Sequence, residues 1–330
     1  MAVSLGVKMG TRWETPDTAG ISNFLQLMVV RGTTSRSGTQ IVEDAERLGG
    51  KIDAMGDVDW SQIEASALSR YWLALLELVA DVALRPSIAD GLVEPIKQFL
   101  LRQIRNRGEQ PYPAAFDALL RSLYGPHPYA WPPLGRRESV ERIDRAALSA
   151  HYRRHYVSSG MVLAVSGQVR APAVIAEVER LFGAVPGSPA PVAPKVSPPA
   201  PAVSRQALEV PGAQAQILVG APAPPLTHPD YPVVKVLSAV LGGGMAGRFF
   251  SELRDKQALA YSTAALYPSL TDAGFFVAQL GTAPENLERA RASLKKELDR
   301  IREEPPTAEE VRVAKAYLLG RFAMDRRTNA

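Results

Sequence analysis

Residues 20–28 read Gly20-Ile-Ser-Asn-Phe-Leu-Gln-Leu-Met28. Ile21, Phe24, Leu25 and Met28 recur at i, i+3, i+4 and i+7, the spacing that lines apolar side chains along one helix face. A helix is expected over residues 18–30, with Asp17 or Thr18 able to cap its start and Gly32 just beyond its end. Beside the apolar stripe, Asn23 and Leu27 stand one turn apart with Gln26 next to them.

The surrounding text reads as one α+β unit used twice. The first copy runs strand (3–9), helix (18–30), glycine turn at Gly32, helix (40–48), then strands 51–55 and 61–68. The second runs strand (215–220), helix (232–241), glycine turn at Gly242, Gly243 and Gly244, helix (246–256), then strands 260–266 and 274–280. Each copy continues into two helices, at 72–84 and 91–107 in the first and at 283–303 and 307–323 in the second. Such a duplication implies two homologous repeats, each a mostly antiparallel sheet packed by helices. In the strand 61–68, Ile63, Ala65 and Ala67 alternate with Gln62, Glu64 and Ser66, one set per face. Pro232 suits a first helical turn with Asp230 as cap, and Thr307 followed by Glu310 has the spacing of a capping box. Residues 184–204 are rich in proline and alanine, which rules out a helix or a central strand and marks a linker between a domain at 1–183 and one at 205–330.

The chain has 330 residues, 46% hydrophobic and 22% charged, enough for a substantial core and two domains. Cysteine is absent, which excludes disulfides and thiolate-bound zinc. The net charge of +4 is spread among both signs, and no recognition motif accompanies it, so nucleic acid is not an expected partner. The most apolar stretch, residues 72–84, is interrupted by Glu77 and Asp81 and reads as a buried helix, not a membrane span. The text opens inside a strand and stops in a helical run at 321–330, so the second repeat is expected to be truncated and an export signal could lie upstream. His151 and His155, one turn apart on a basic helix, read as a surface pair, and His127 in a proline-fixed loop reads as packing.

The helix at 20–28 and its flanks resemble the pitrilysin/insulinase/mitochondrial processing peptidase family. Similar text includes Gly10-Thr-Arg-Trp-Glu-Thr-Pro16, Arg31-Gly-Thr-Thr-Ser-Arg-Ser37, Leu48-Gly-Gly-Lys-Ile-Asp-Ala54, His127-Pro-Tyr129, Leu134-Gly-Arg-Arg-Glu-Ser-Val140 and Val165-Ser-Gly167. Members carry an inverted zinc motif, H-x-x-E-H, in which two His bind the metal and the Glu is the general base. The resemblance puts Asn23, Gln26 and Leu27 at those positions, and Gln103, 76 residues beyond Leu27, at that of the third ligand, a Glu. An amide oxygen is a poor zinc ligand, leucine has no lone pair, and glutamine cannot take up a proton at neutral pH. A degenerate zinc site is therefore expected, with no metal and no catalytic residue in this chain. Restoring His, Glu and His at 23, 26 and 27 is not expected to suffice, because Gln103 remains.

Residues 241–262 resemble the family text "LGGGmssRLf.elRe..gLaYs", which implies that Arg254 and Tyr261 contact substrate and that Gly242, Gly243 and Gly244 form its glycine-rich loop. A guanidinium and a phenol can hydrogen-bond a peptide carbonyl. The resemblance implies a non-catalytic subunit that pairs with a zinc-bearing homologue as a heterodimer and encloses peptide substrates. A stand-alone peptide-binding or assembly protein of the same fold is the alternative, and an active peptidase with unconventional ligands ranks third. Relatives in bacteria imply a periplasmic or exported location.

Overall fold

The computed structural model describes residues 1–198 and 202–326. In chain order the elements are β1 (Ala2–Val7), α1 (Ile21–Val29), α2 (Gly38–Arg47), β2 (Lys51–Gly56), β3 (Ser61–Ser66), α3 (Trp72–Leu84), α4 (Asp90–Gly108), α5 (Pro111–Tyr124), α6 (Arg137–Arg142), α7 (Arg145–His155), β4 (Met161–Ser166) and α8 (Ala171–Phe182). After the proline-rich stretch come β5 (Ala215–Ala223), α9 (Tyr231–Gly242), a π-helix (Phe250–Lys256), β6 (Ser262–Leu266), β7 (Gly274–Thr282), α10 (Leu287–Glu303) and α11 (Ala308–Asp325). The chain divides into two compact units. One holds Met1–Arg105 and Trp131–Val196, the other Asn106–Ala130 and the described residues from Ser197 to Arg326.

The first unit is built on a four-stranded antiparallel sheet in the order β2-β3-β1-β4. Leu5 sits opposite Ile63 on one side and Leu163 on the other, so apolar side chains meet across the inner face. Val3, Leu5 and Val7 join Ile63 and Ala65 against Phe24, Leu25 and Met28 of α1 and the apolar length of α3 in one core. Gln62, Glu64 and Ser66 lie on the opposite face, as the alternation requires. Ser37 and Gln40 cap α2 reciprocally.

Asp81 has no exposed side-chain surface, yet it does not weaken α3. Its carboxylate accepts hydrogen bonds from Thr33 Oγ1 at 2.7 Å, Ser35 Oγ at 3.0 Å, Arg36 Nη1 at 2.7 Å and Arg85 Nε at 2.8 Å. These bonds tie the turn between α1 and α2 to the end of α3.

The second unit has a three-stranded antiparallel sheet, β5-β7-β6. The pairing repeats that of β1, β3 and β2, with first strand against third and third against second, as expected of a duplicated unit. Its core joins Ile217, Leu241, Phe249, Leu253, Ala278, Leu280 and Leu294. Thr307 and Glu310 form the expected capping box of α11. The Glu310 carboxylate also takes two bonds from the buried Arg248, at 2.6 and 3.0 Å, and this pairing holds it down at about 2.

Several expectations need correction. Neither Asp17 nor Thr18 caps α1. The N-cap is Gly20 in the left-handed region (φ 94°), and the capping oxygens come from Glu14. Asp230 precedes Pro232 as expected but makes no side-chain cap bond. The helix expected over 246–256 is a short 3-10 turn followed by the π-helix. Residues 106–130 group with the second unit because α5 packs on β5, where Leu119 lies against Gly220. The described part of the linker carries no helix or strand. Its first half is pinned to the first unit by Trp13 Nε1 on Pro191 O at 2.9 Å and Ser159 Oγ on Ser188 O at 2.7 Å. The helical run expected at 321–330 continues α11 to Asp325, and positions 327–330 lie outside the described residues. Among the described residues no helix is long and apolar enough to cross a membrane.

Candidate functional site

The first candidate site lies along α1. Its start is set by the buried Glu14, whose carboxylate accepts from the backbone N–H groups of Gly20 at 2.8 Å and Ser22 at 2.9 Å, two donors left open by any helix start. Burial pushes this carboxyl up to about 7, with the bonds from Gly20 and Ser22 opposing the shift. The helix lies close to β2, where a Cβ on Gly56 would come within 2.9 Å of Asn23 Cα.

Asn23, Gln26 and Leu27 occupy consecutive turns of α1. Asn23 is half-buried and its side chain makes no hydrogen bond among the described residues. Leu27 is half-buried and packs on the apolar core. Gln26 is wholly buried, and its Nε2 donates to the Tyr156 hydroxyl of α7 at 2.9 Å. Its Oε1 has no partner among the described residues. Turning the amide over would exchange the orphan oxygen for an orphan nitrogen, because Tyr156 offers one hydroxyl for two amide ends. Gln103 is half-buried on α4 and is likewise without a side-chain hydrogen bond. Zinc would need imidazole or carboxylate donors here, and the four positions provide three amides and an alkyl chain. The residues do not fit the ion. Among the described residues no group of three or more His, Asp or Glu side chains could hold a metal.

The histidine pair is less exposed than expected, with His151 half-buried and His155 buried. His155 is 1% exposed, and its Nδ1–H donates to Lys8 O at 2.7 Å. His151 Nε2 shares a hydrogen bond with Ser22 Oγ at 3.1 Å. The rings lie with centroids 4.4 Å apart and planes tilted by 46°, and Trp13 meets His155 edge-on at 6.2 Å. Basic neighbours on α7 suggested a solvated helix, but those arginines occupy its other flank. The signal that could have found this burial is the apolar spacing of Leu148, Tyr152 and Tyr156 on the same helix. His127 packs as expected, 1% exposed, with Nε2 toward Asp272 Oδ2 at 3.3 Å and Nδ1 accepting from Tyr129 N at 3.1 Å.

The second candidate site surrounds the glycine-rich turn. Gly242 approaches β6 so closely that a Cβ would lie 2.2 Å from Ala265 N, and Gly244 takes a φ of 70°. The turn leads into the π-helix, an uncommon form that re-aims side chains. Arg254 projects from it, exposed, with its guanidinium 5.0 Å from the Phe250 ring and no ion pair among the described residues. Tyr261 is 59% exposed while its backbone N–H is fixed to Gly281 O at 2.8 Å. The chain turns between them at Ala258, which holds a φ of 51°. An L side chain there costs about 1 kcal/mol. Ala258→Gly is therefore expected to stabilise the second unit by about 0.5–1 kcal/mol, offset in part by the added freedom of the unfolded chain. Urea unfolding checks this, and a lower midpoint for the variant would show that the Ala258 methyl packs favourably.

Comparison with known proteins bears on both sites. Residues 1–135 match the family described as Insulinase (Peptidase family M16), and residues 142–318 match the one described as Peptidase M16 inactive domain. The chain belongs to peptidase family M16. An uncharacterized zinc protease of Bacillus subtilis is 26% identical over 97% of this chain and 78% of its own length. One of Mycobacterium tuberculosis is 29% identical over 97% and 74%. The crystal structure of a peptidase M16 inactive domain from Pseudomonas fluorescens superposes with a TM-score of 0.91 at 24% identity, over 99% of this chain and 79% of that one. A protease from Helicobacter pylori gives 0.89 at 20% identity, over 99% and 81%. At these identities the solved structures establish the two-repeat α+β fold and no more.

Proposed function

We propose that this M16 chain is a non-catalytic subunit that pairs with a zinc-bearing homologue and helps it hold peptide substrates. The observation that carries the reading is Gln26. At the position the resemblance assigns to the general base, a neutral amide is sealed from solvent and spent on Tyr156. No proton acceptor is left there to activate water.

Arg254 and Tyr261 supply the positive part of the role. Both side chains are exposed, Arg254 is free of ion pairs among the described residues, and each can donate to a peptide carbonyl. The site residues, the absence of a resident metal and the heterodimer stand together in this proposal. Copurification from the native host, followed by peptide turnover with and without the zinc-bearing partner, tests it. The mixed complex is expected to cleave peptides and the isolated chain is not. Arg254→Ala should lower turnover of the mixed complex about 10-fold or more, the loss of one charged hydrogen bond to the reacting region. Tyr261→Phe should give a smaller loss, and neither variant should change folding or assembly. A stable chain that binds peptides but never copurifies with a peptidase would favour a stand-alone binding protein.

A further inference from the structure

Glu14, His151 and His155 take no part in the role proposed above, yet all three are packed where α1 begins. They form one connected set. Glu14 holds the N–H groups of Gly20 and Ser22, the Ser22 hydroxyl reaches His151, the His151 ring lies against His155, and His155 bonds to the end of β1 at Lys8 O. We propose that the His151–His155 pair is an acid-sensitive latch, holding α7 to the start of α1 while both imidazoles are neutral and releasing the two helices when they take up protons.

The geometry gives the latch its direction. Two imidazolium rings with centroids 4.4 Å apart, one buried and one half-buried, would repel. Protonated His151 would also lose the ability to accept from Ser22. Of the charged groups nearby, Arg154 adds to the repulsion, whereas Lys8 follows β1 and meets His155 through its carbonyl, Arg12 pairs with Asp59 beside the Trp13 turn, Arg153 is exposed on α7 and Glu14 lies at the start of α1. Tyr152 and Tyr156 stay neutral throughout, since burial raises both. Burial holds His151 down at about 3, with His155 and Arg154 adding to it, and holds His155 down at about 4.

An opened His titrates near 6.5, so as pH falls below 6.5 each histidine favours the open form. Glu14 acts the other way. It holds its proton up to about 7 when closed but only to 4.5 when released, so falling pH favours closure between 7 and 4.5. Each proton taken up on opening changes the opening constant tenfold per pH unit. Two histidines against one glutamate leave one net proton. Opening should rise about tenfold per pH unit between 6.5 and 4.5, and more steeply below.

Hydrogen exchange of the full chain from pH 7 to 4, corrected for intrinsic rates, tests the latch in peptides covering residues 11–29 and 145–157. In the unaltered chain these peptides should lose protection at about tenfold per pH unit while β7 and α10 keep theirs. Glu14→Gln should steepen the slope to about a hundredfold per unit. His151→Gln with His155→Gln should reverse it, leaving Glu14 to tighten the segment as pH falls. If Glu14→Gln does not fold, the unaltered chain against the double glutamine variant decides alone. An unchanged slope in the double variant, no slope in the unaltered chain, or equal loss of protection in β7 and α10 would each overturn the latch.

Discussion

Asp81→Ala is expected to destabilise the first unit by about 3 kcal/mol, because truncating one partner of a buried charge pair costs about 3–5 kcal/mol and two of the partners left behind can rehydrate. Arg36 and Arg85 keep 32% and 59% side-chain exposure, and this places the effect at the low end of that range. Thr33 Oγ1, buried, loses its carboxylate acceptor but still accepts from the N–H groups of Ser35 and Arg36. Asp81→Asn should recover part of the loss, since its one amide oxygen can serve only some of four donors. The pH dependence has a definite sign. Burial by itself would raise this carboxyl, but the bonds from Thr33, Arg36, Ser35 and Arg85 prevail and hold it below its ordinary 3.8. Its stabilisation is thus present above that value and is lost as pH falls further. The gap between the variant and the unaltered chain should be full at pH 7 and should close in acid. Urea unfolding across that range measures it, and an Asp81→Ala chain as stable as its parent at pH 7 would contradict the anchoring role.

Gln26→Glu should also cost about 3 kcal/mol at pH 8, the penalty of an uncompensated charge in a wholly buried site. Tyr156 can donate one hydrogen bond to the new carboxylate, and no other polar partner of Gln26 is present among the described residues. A carboxyl placed there would titrate above the ordinary range. The cost is absent when the group is protonated, at and below about 4.3, and grows as pH rises through its raised value. Variant and parent should have matching urea midpoints near pH 4 and diverge toward pH 8. Equal stability at pH 8 would show that the site still accommodates an ionised base. Adding Asn23→His and Leu27→His should not restore hydrolysis while Gln103 stands. Turnover by that triple variant would show that the third position is misassigned.

The fold was readable because its signals are local. The stripe of Ile21, Phe24, Leu25 and Met28, the alternation in β3 and the Thr307–Glu310 box each name an element without help from distant residues. The matching order of elements around Gly32 and Gly242 revealed the duplication. What was missed depends on partners remote in sequence. Glu14 reaches over six and eight residues to cap α1, Arg248 meets Glu310 across 62, and Asp81 gathers donors 45 to 48 residues away. Asp81 therefore reads in the sequence only as an interruption of an apolar stretch, whereas in the fold it ties that helix to the turn before α2. His155 was misjudged because arginines beside it in sequence lie on another flank of α7. The identities at 23, 26, 27 and 103 were legible at once, whereas the burial of Gln26 and its bond to Tyr156 came only from the packing of α1 on α7.

Zinc binding by the purified full chain, after chelator treatment and measured by calorimetry, tests the central claim most directly. The donor set of Asn23, Gln26, Leu27 and Gln103 predicts no stoichiometric site and no peptide hydrolysis by the chain alone. One tightly held equivalent that disappears on Asn23→Ala or Gln103→Ala, with cleavage by the isolated chain, would contradict it.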